Sequence, residues 1–557
     1  MTGNAWWKEA VVYQIYPRSF YDSNGDGIGD LQGIIQKLDY LVDLGIDVIW
    51  LCPVYKSPND DNGYDISDYE DIMDDFGSMK DFDELLEEAH KRGLKLIMDL
   101  VLNHTSDEHP WFIESRSSLD NPKRDWYIWK DGKDGIEPNN WESIFSGSAW
   151  DFDEETKQYY LHLFSKKQPD LNWENEEVRN ALFDMVNRWI DKGIDGFRID
   201  AISHIKKKPG FPDMPNPKNK QYVECFPYMS NYDGIDVHLH EFVDSTIKGK
   251  NLMTVGEANG VSLKDIDKWV GEDNGYFNMI FQFEHLQLWN KNQNGFTDVQ
   301  ELMKILSNWQ YSLEGHGWNA LFLENHDLTR CVSTLGDDRN YRVESAKMLG
   351  ALYFFMKGTP FIYQGQEIGM TNAYYENIED YNDVGMLQFY SLERAKGVSH
   401  DVLIEILKRT CRDNGRSPMQ WDSSPFGGFT KGEKTWIGVN PNYSEINVSQ
   451  QLNNNHSVLS FYKKMIALRK KEKVFVYGKY EYMDNEQSDI VAYTRTLEDS
   501  KALILCNFGK VVLPHSFPID NGELVLHNYK KVTEAYILQP YEARVYLFKS
   551  YAGELDE

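Results

Sequence analysis

The alternation of short apolar segments with amphipathic helical segments constrains the fold of this chain more than any other feature. Buried strands are predicted at residues 11–16, 48–51 and 96–102, with helices at 31–44 and 81–92 between them. Further strands are predicted at 197–199, 253–256, 320–323 and 361–364, and further helices at 176–192 and 457–471. Repeated βα units with almost entirely apolar strands indicate an α/β protein with a parallel sheet, and the repeat region suits a (β/α)8 TIM barrel.

Two regions depart from this alternation. Residues 105–173 are rich in Trp, Tyr, Asp, Asn and Gly and show little helical periodicity, which predicts a small domain inserted after the third strand. From residue 479 the pattern changes to short alternating runs, which predict a C-terminal antiparallel β-domain over 479–557. The barrel is therefore predicted in two parts, residues 1–104 and 174–478.

Charge and cysteine content narrow the class of protein. The formal net charge of −30 disfavours binding to nucleic acid or to anionic membranes and suits an enzyme that acts on neutral small molecules. The five cysteines are scattered without a C-x-x-C pair, which disfavours a disulfide framework or zinc site. No apolar stretch is long enough for a membrane helix, and the N-terminus does not resemble a signal peptide. We expect a cytoplasmic enzyme, monomeric or weakly homo-oligomeric.

Acidic residues and their polar neighbours cluster at the carboxyl ends of four predicted strands. In a barrel of parallel strands this face carries the catalytic groups. A single Asp after a strand is more often a helix N-cap, but four such ends that each combine an acid with Arg, His or Asn are hard to explain as caps. These residues are Asp99, Asn103 and His104, then Arg198 and Asp200, then Glu257, and finally Asn325, His326 and Asp327.

Segments 99–104, 196–200, 256–257 and 325–327 resemble the four short motifs of the α-amylase superfamily. Residues 168–172 resemble the fifth motif as it stands in the oligo-1,6-glucosidase and α-glucosidase branch. Segments 57–65, 412–421 and 439–443 are also similar to that branch, so the resemblance covers nearly the whole chain. It implies an exo-acting, retaining α-glucosidase that releases glucose from the non-reducing ends of short α-glucosides.

The resemblance implies a role for each of three acids. Asp200 is the expected nucleophile, and Arg198, two residues earlier on the same face of the strand, is expected to lower its pKa. Glu257 is the expected general acid and base, which requires a raised pKa. Asp327 is the expected third acid, which binds sugar hydroxyls and helps to distort the ring.

The remaining substrate contacts also follow from the resemblance. His104 and His326 are expected to donate hydrogen bonds to the glucose ring, and Tyr64 is expected to stack beneath it. Asp61 and Arg416 are expected to grip the terminal glucose and close the pocket. Gln168, in the fifth motif, belongs to the same predicted set of substrate-binding residues, as does Arg198.

A separate oxygen-rich loop near the N-terminus suggests a calcium site. Its predicted ligands alternate along the chain, with the side chains of Asp22, Asn24, Asp26 and Asp30 and the residue Ile28. Hard oxygen ligands suit Ca²⁺. The twelfth position of the loop is Gly33 rather than Glu, so the loop is not an EF-hand, and in the glucosidase branch a loop of this kind binds one structural calcium. The alternative is a metal-free turn.

The linkage that the enzyme prefers is less strongly indicated. In this branch a small residue after the nucleophile, here Ala201, goes with α-1,4 bonds and valine goes with α-1,6 bonds. We therefore expect maltose to be favoured and isomaltose to be possible, with an oligo-1,6-glucosidase as the alternative. Glu324 and Asn259 depart from the branch pattern, and either could alter the subsite beyond the first glucose.

Three other readings stay open at this point. A sucrose isomerase shares the motifs but usually carries an Arg/Asp loop after the fourth motif, and residues 331–339 match that loop poorly. Some relatives are inactive partners of membrane transporters, but those lose catalytic acids that this chain keeps. Trehalose and phosphorylated disaccharides are also not distinguished from maltose by the sequence.

Overall fold

The computed structural model describes residues 5–271, 275–288, 298–484 and 488–549. Eight parallel strands form its central sheet, in the order β6-β5-β4-β3-β2-β1-β8-β7. Their bounds are β1 Val12–Ile15, β2 Val48–Leu51, β3 Lys95–Val101, β4 Gly196–Asp200, β5 Met253–Glu257, β6 Met279–Phe281, β7 Ala320–Leu321 and β8 Thr359–Tyr363. This confirms the predicted TIM-barrel class. The sequence analysis missed β6, which at three residues is too short to give a periodic signal.

Helices follow most of the strands and cover the outside of the sheet. The longer ones are Leu31–Leu44, Met79–Lys91, Pro110–Ser117, Glu176–Lys192, Ile235–Ser245, Val299–Ser312, Arg342–Phe354, Val384–Ala395, His400–Thr410 and Val458–Lys471. Short helices span Trp6–Glu9, Phe226–Met229, Ile266–Trp269, Cys331–Thr334, Asp413–Arg416, Val448–Leu452 and Val474–Tyr477. Among the described residues, no helix is long and apolar enough to cross a membrane.

The two best-predicted helices have clear stop signals. Helix Leu31–Leu44 ends at Gly45, with φ of 97°, and helix Glu176–Lys192 ends at Gly193, with φ of 101°. Glycine adopts this left-handed conformation without the clash of a Cβ atom, so both helices stop there.

The region inserted after β3 contains a three-stranded antiparallel sheet of Trp129–Lys130, Gln158–Leu161 and Trp150–Asp153. Its remaining strand, Trp141–Glu142, pairs in parallel with Val223–Glu224, which lies after β4. Trp141 and Trp150 share an apolar cluster with residues of that later segment, namely Met214, Cys225 and Met229. The inserted region therefore packs with a second segment from the chain after β4.

The C-terminal residues form an antiparallel sheet with strands in the order β9-β10-β11-β13-β12. Their bounds are β9 Lys479–Tyr482, β10 Ile490–Leu497, β11 Ser500–Asn507, β12 Glu523–His527 and β13 Ala543–Lys549. Arg495 of β10 is fully buried and donates to the carbonyl groups of Phe355, Phe475 and Gly478. These hydrogen bonds attach the sheet to helical segments of the barrel.

Candidate active site

A cavity of about 280 Å³ opens at the carboxyl ends of the barrel strands. The three predicted catalytic acids, Asp200, Glu257 and Asp327, all line it. They come from the ends of β4 and β5 and from the loop after β7, so the barrel topology brings together residues that are far apart in sequence. This position agrees with the rule that TIM-barrel enzymes assemble their sites at this face.

One arginine connects the acids at the base of the cavity. Nη1 of Arg198 lies 2.6 Å from Asp200 Oδ1 and 2.8 Å from Asp99 Oδ1, and Nη2 lies 2.5 Å from Glu257 Oε2. The backbone N–H of Ala201 also donates to Glu257, at 3.1 Å. The guanidinium is therefore in contact with three carboxyl groups, and it fixes the nucleophile candidate beside the acid-base candidate.

The net pKa of Asp200 differs from the expectation that Arg198 would keep it low. Burial raises the pKa of Asp200 well above its usual range. Arg198 lowers that pKa, but the charges of Glu257 and Asp99 raise it further. Three acids share a single guanidinium, so Arg198 offsets only part of the effect of burial and of the neighbouring carboxylates on the pKa of Asp200.

Asp327 has the opposite electrostatic environment. Burial alone would raise its pKa, but His326, Arg412 and Arg416 outweigh burial and hold the pKa of Asp327 well below its usual range. Arg412 Nη1 lies 2.9 Å and Arg416 Nη2 lies 3.1 Å from Asp327 Oδ1. Asp327 is therefore ionised at neutral pH and accepts hydrogen bonds.

His326 is a neutral donor beside Asp327. Burial lowers its pKa to about 3. Its Nδ1 lies 2.8 Å from the amide nitrogen of Gln14, which fixes the tautomer with the proton on Nε2. That Nε2 lies 3.1 Å from Asp327 Oδ2, and the ring stacks on Tyr64 with a centroid separation of 5.1 Å and an interplanar angle of 3°.

His104 is also neutral, because burial lowers its pKa to about 4. Asn103 accepts from Lys207 at 2.9 Å and donates to Asp170 at 3.1 Å, so its amide orientation is fixed. The same amide nitrogen lies 3.1 Å from His104 Nδ1, and His104 Nε2, on the other side of the ring, faces the amide nitrogen of Gln168. Gln168 lies 3.2 Å from that Nε2 and donates to Asp61 at 3.1 Å.

The arginine that faces Asp61 is Arg412, whereas the sequence analysis had paired Asp61 with Arg416. Arg412 Nη2 lies 3.3 Å from Asp61 Oδ1, and Arg412 lines the cavity. Arg416 is 1% exposed and donates to the carbonyl oxygen of His326 at 2.8 Å, behind Asp327. The two arginines lie one helical turn apart, at the start and end of helix Asp413–Arg416, so they reach different depths.

Asp383 orients Arg412, and the sequence analysis did not identify it. Its carboxylate accepts from Nε and Nη2 of Arg412, both at 2.8 Å. It also caps helix Val384–Ala395 by accepting from the N–H groups of Gly385 and Met386. An Asp just before a helical segment was visible in the sequence, but that pattern predicts only a cap.

Two departures from the branch pattern have different outcomes. Glu324 is buried and accepts from Arg330 at 3.0 Å and from the backbone N–H of Cys331 at 2.6 Å, and it does not line the cavity. It therefore stabilises the loop after β7 rather than a sugar subsite. Asn259 does line the cavity, as does His204, which the sequence analysis did not single out.

The oxygen-rich loop at residues 22–30 is held by its own hydrogen bonds. The backbone N–H of Asn24 donates to Asp22, that of Asp26 to Asn24, and that of Ile28 to Asp26, at 2.8–3.0 Å. Asp30 instead caps helix Leu31–Leu44 and receives the backbone N–H of the third helical residue at 2.6 Å.

The chemistry of this loop fits calcium, because all predicted donors are oxygens. Asp22 is buried and already accepts two hydrogen bonds at each oxygen, whereas Asn24 and Asp26 are exposed and have further acceptor capacity. In the described part of the chain, no three His, Cys, Asp or Glu side chains form a metal-binding group. Asn24 and the carbonyl of Ile28 would therefore have to complete the ligand set.

The fold and the site define a glycoside hydrolase, and comparison with known proteins agrees. Residues 14–478 match the family described as "Alpha amylase, catalytic domain". The chain is 59% identical over 552 residues to the probable oligo-1,6-glucosidase 3 of Bacillus subtilis strain 168, which covers 98% of this chain and 99% of that protein.

Two similar solved structures are a trehalose-6-phosphate hydrolase and an isomaltulose synthase. The first, from Bacillus licheniformis, has a TM-score of 0.90 at 44% identity and covers 98% of this chain and 100% of that chain. The second, a mutant enzyme from Erwinia rhapontici NX5, has a TM-score of 0.93 at 41% identity and covers 99% and 100%. The chain belongs to the α-amylase family. Within it, the protein is a hydrolase of the oligo-1,6-glucosidase and α-glucosidase type.

Proposed function

We propose that this enzyme is an exo-acting, retaining α-glucosidase that releases glucose from the non-reducing ends of short α-glucosides. The observation that carries the proposal is the contact between Asp61 and Arg412 in the cavity that holds the three acids. In the proposed mode of binding, this pair closes the far end of the pocket, so that a chain enters only by its terminal sugar. An endo-acting enzyme needs a cleft that is open at both ends.

The side chains support a double-displacement mechanism. Glu257 protonates the glycosidic oxygen while Asp200 attacks the anomeric carbon and forms a glycosyl ester. Glu257 then takes a proton from a water molecule. The water oxygen attacks the anomeric carbon, the ester bond to Asp200 breaks, and glucose leaves in the α configuration. The two catalytic carboxyl groups lie about 5–5.5 Å apart in retaining enzymes and about 6.5–9.5 Å apart in inverting enzymes. Contact of both Asp200 and Glu257 with Arg198 favours the shorter separation.

Asp327, His326 and His104 act on the sugar ring rather than on the bond that breaks. The ionised carboxylate of Asp327 accepts from sugar hydroxyls, and the two neutral imidazoles donate to them. In glycosidases generally, hydrogen bonds that strengthen as the sugar ring distorts supply on the order of several kcal/mol of transition-state stabilisation. We expect a similar contribution from these three side chains.

The proposed linkage preference is α-1,4 over α-1,6, and it rests on Ala201. This residue lines the cavity directly after the nucleophile, and its small side chain leaves room for a leaving sugar held close to the ring. The second candidate is a preference for α-1,6 bonds, because the relatives with the highest identities are named oligo-1,6-glucosidases.

Sucrose isomerisation is less well supported. Arg330, in the loop after the fourth motif, is buried against Glu324, and Arg339 in the same region is exposed. Neither lines the cavity. An inactive transporter partner is also poorly supported, since Asp200, Glu257 and Asp327 lie together in the site.

We also propose a structural Ca²⁺ at Asp22, Asn24, Asp26, Ile28 and Asp30. The fit of a purely oxygen donor set to a hard cation supports it. The loop contacts the C-terminal part of the barrel, where Asp22 accepts from Thr430, so a bound ion would tie together distant parts of the chain.

The setting that we propose is the cytoplasm, with small oligosaccharides as substrates, no nucleic-acid or membrane partner, and a monomer or weak homo-oligomer as the working form. All five cysteines are free and buried, as expected in a reducing compartment. The net charge of −30 disfavours nucleic acid as a partner.

Maltotriitol, the reduced form of maltotriose, tests exo action, because cleavage of its terminal bond gives glucose and maltitol. We expect these two as the first products, with α-glucose appearing first by NMR before mutarotation. Release of maltose and sorbitol would indicate internal cleavage, and β-glucose as the first product would contradict the retaining mechanism. Asp200→Asn enzyme is the control for a contaminating activity.

A further inference from the structure

Lys207 is a buried lysine near the active site that the proposed mechanism does not use. It follows the short 3-10 helix Ile202–His204, which comes directly after β4. Its Nζ lies 2.6 Å from Asp170 Oδ2 and 2.9 Å from Asn103 Oδ1. Lys207 does not line the cavity that holds the three acids, so it does not contact a sugar bound there. Any effect on the reaction must therefore pass through its two partners.

The ammonium group of Lys207 joins three separate parts of the chain. Asn103 follows β3, Asp170 belongs to the inserted region, and Lys207 itself lies after β4. Asp170 forms an antiparallel bridge with His104, and its second carboxylate oxygen accepts the backbone N–H of Leu163 at 2.8 Å. The position of Asp170 is therefore fixed by the backbone, and Lys207 binds to a rigid partner.

The orientation of the Asn103 amide depends on Lys207. Its oxygen accepts from the ammonium group, while its nitrogen donates to Asp170 at 3.1 Å and lies 3.1 Å from Nδ1 of His104. An ammonium group only donates and an ionised carboxylate only accepts, so the two charges together hold the amide one way round. Without the ammonium group the buried amide oxygen loses its partner, which costs free energy unless the side chain moves.

His104 depends on this arrangement for its position and for its charge. The ring is buried and lines the cavity, and Asn103 contacts it from the Nδ1 side. Burial lowers the pKa of His104 to about 4, an effect that Asp170 opposes and to which Lys207 adds. The ammonium group therefore offsets the nearby carboxylate and favours the neutral imidazole that the proposed mechanism uses.

An ion pair that only stabilises the fold is the simpler explanation of Lys207. Buried ion pairs contribute little net stability, because desolvation of both charges offsets their attraction. The neighbouring Lys206 forms a pair of the ordinary kind with Glu174, whose side chain is 60% exposed. Lys207 differs from Lys206, since it also donates to the residue that contacts His104.

We infer that Lys207 is a positioning residue of the glucosidase reaction, which holds His104 beside the terminal glucose by fixing the amide of Asn103. The inference rests on the proposed function. Displacement of a substrate-positioning group by about 1 Å can cost about 10²-fold in rate. Lys207→Met keeps the length of the side chain and removes the ammonium group, so we expect it to lower kcat/KM on maltose by about tenfold or more.

A double-mutant cycle separates the positioning of His104 from stabilisation of the fold. If Lys207 acts through His104, Lys207→Met should cost less than about twofold in enzyme that already carries His104→Asn. A contribution to the fold alone would instead multiply with the loss caused by His104→Asn. The four enzymes are compared at a temperature at which their melting curves show all of them to be folded. Lys206→Met is the matched control and should keep kcat/KM within about twofold of wild type.

The kind of loss gives a second readout. His104 contacts the terminal glucose, which maltose and 4-nitrophenyl α-glucoside share, so Lys207→Met should lower kcat/KM by a similar factor on both. The loss should lie mainly in kcat, as expected for contacts that strengthen in the transition state. A loss confined to maltose would place the effect on the leaving group and overturn the inference.

Lys207→Arg decides the question if Lys207→Met does not fold. Its guanidinium keeps a charge beside Asp170 but cannot reproduce the point contact of an ammonium group. We expect a lower kcat/KM, and a loss that disappears in the His104→Asn background. Native kcat/KM in Lys207→Arg enzyme would show that only the charge is needed, and a loss that persists without His104 would show that Lys207 acts elsewhere. Either result overturns the inference.

Failure of this inference and failure of the proposed function are distinguishable. Wild-type enzyme that cleaves maltose, isomaltose or the aryl glucoside, together with Lys207→Met enzyme within about twofold of it, overturns the role of Lys207 alone. Wild-type enzyme that cleaves none of these substrates overturns the proposed function itself.

Discussion

The Nη2 atom of Arg412 lies 3.3 Å from Oδ1 of Asp61, and the same guanidinium reaches Asp327 Oδ1 at 2.9 Å. One cation therefore connects Asp61, which we propose closes the pocket, with Asp327, which we propose binds the sugar hydroxyls. Asp383 holds this cation by two hydrogen bonds from the opposite side. The end of the pocket is a network of charges whose members depend on each other, so removal of Arg412 leaves Asp61 and Asp327 partly uncompensated.

Arg412→Ala should lower kcat/KM on maltose by about 10²-fold. Truncating one partner of a desolvated, hydrogen-bonded charge pair costs about 2–5 kcal/mol, since the other charge stays buried without its partner. Arg412→Lys should recover only part of this loss, because an ammonium group cannot contact three acids with the geometry of a guanidinium. Steady-state kinetics with Arg394→Ala, an exposed arginine, as the control would check it. Near-normal kcat/KM in Arg412→Ala enzyme would show that Asp61 closes the pocket without this partner.

Asp200→Asn should abolish turnover with the fold intact, because an amide cannot form the glycosyl ester. Glu257→Gln should lower the rate by about 10²–10⁴-fold, the typical contribution of general acid catalysis. The loss in Glu257→Gln enzyme should be smallest on aryl glucosides, whose leaving groups need little protonation. Rates on maltose, isomaltose and an aryl glucoside, with melting curves of both variants, measure this. Native-like turnover by either variant would contradict the assignment.

The acid limb of the pH profile should reflect Asp61 and Asp200. Burial raises the pKa of Asp61 to about 6, with Arg412 and Arg416 opposing that rise, and burial also raises the pKa of Asp200. Both acids act in ionised form, so a raised pKa moves the loss of activity to higher pH. At pH 5 about nine-tenths of a group with a pKa of about 6 is protonated. kcat/KM should therefore fall as pH decreases through about 6, and less steeply in Asp61→Asn enzyme. A wild-type profile that is flat down to pH 4.5 would contradict the prediction.

Removal of calcium from the loop at residues 22–30 should lower the melting temperature without directly changing the active site. An ion that binds only the folded state stabilises it by about 2.7 kcal/mol at a hundredfold excess over its Kd. Asp26→Asn should weaken this effect, since it removes a charge from an exposed residue while keeping an acceptor for the N–H of Ile28. Asp120→Asn, also exposed, is the matched control. If protein verified as metal-free by elemental analysis melts at the same temperature with and without added Ca²⁺, the loop is a turn held by hydrogen bonds alone.

Sequence patterns predicted the fold well where burial and caps act locally. Helices 31–44 and 176–192 were placed correctly at both ends, because an acidic or amide N-cap and a terminal glycine mark each of them. Strand Met279–Phe281 was missed since three apolar residues carry no periodicity. The pairing of Trp141–Glu142 with Val223–Glu224 was also invisible, because it depends on contacts about 80 residues apart that no local pattern records.

The candidate site shows the same division between local pattern and three-dimensional arrangement. The predicted acids Asp200, Glu257 and Asp327 line one cavity, as expected from strand ends at one face. Arg412 and Arg416 lie in the same motif, and only the depth of each side chain decides which one faces Asp61. The net pKa of Asp200 could likewise not be predicted from the sequence, because it depends on burial and on how many acids share Arg198.

The last prediction concerns the linkage and rests on Ala201. Its side chain borders the cavity directly after the nucleophile, where an α-1,4-linked aglycone needs room and an α-1,6-linked one can rotate aside on its extra bond. Ala201→Val adds two carbons there, and misfit of one methylene is worth about 1–3 kcal/mol, or about 10–200-fold in discrimination. The substitution should therefore lower kcat/KM on maltose far more than on isomaltose.

Because of the backbone conformation at Ala201, the variants should be compared by the ratio of kcat/KM on maltose to kcat/KM on isomaltose, and not by the rates alone. Ala201 has φ of 45°, a left-handed conformation that a β-branched residue adopts only with strain, so Ala201→Val should lower both activities to some extent. Strain of this kind acts equally on the two sugars and cancels in the maltose-to-isomaltose ratio. Ala201→Ser, which adds one atom without a branch, should change the ratio much less. An equal loss on both sugars would show that Ala201 does not set the linkage, and a wild-type enzyme that strongly prefers isomaltose would favour the α-1,6 candidate.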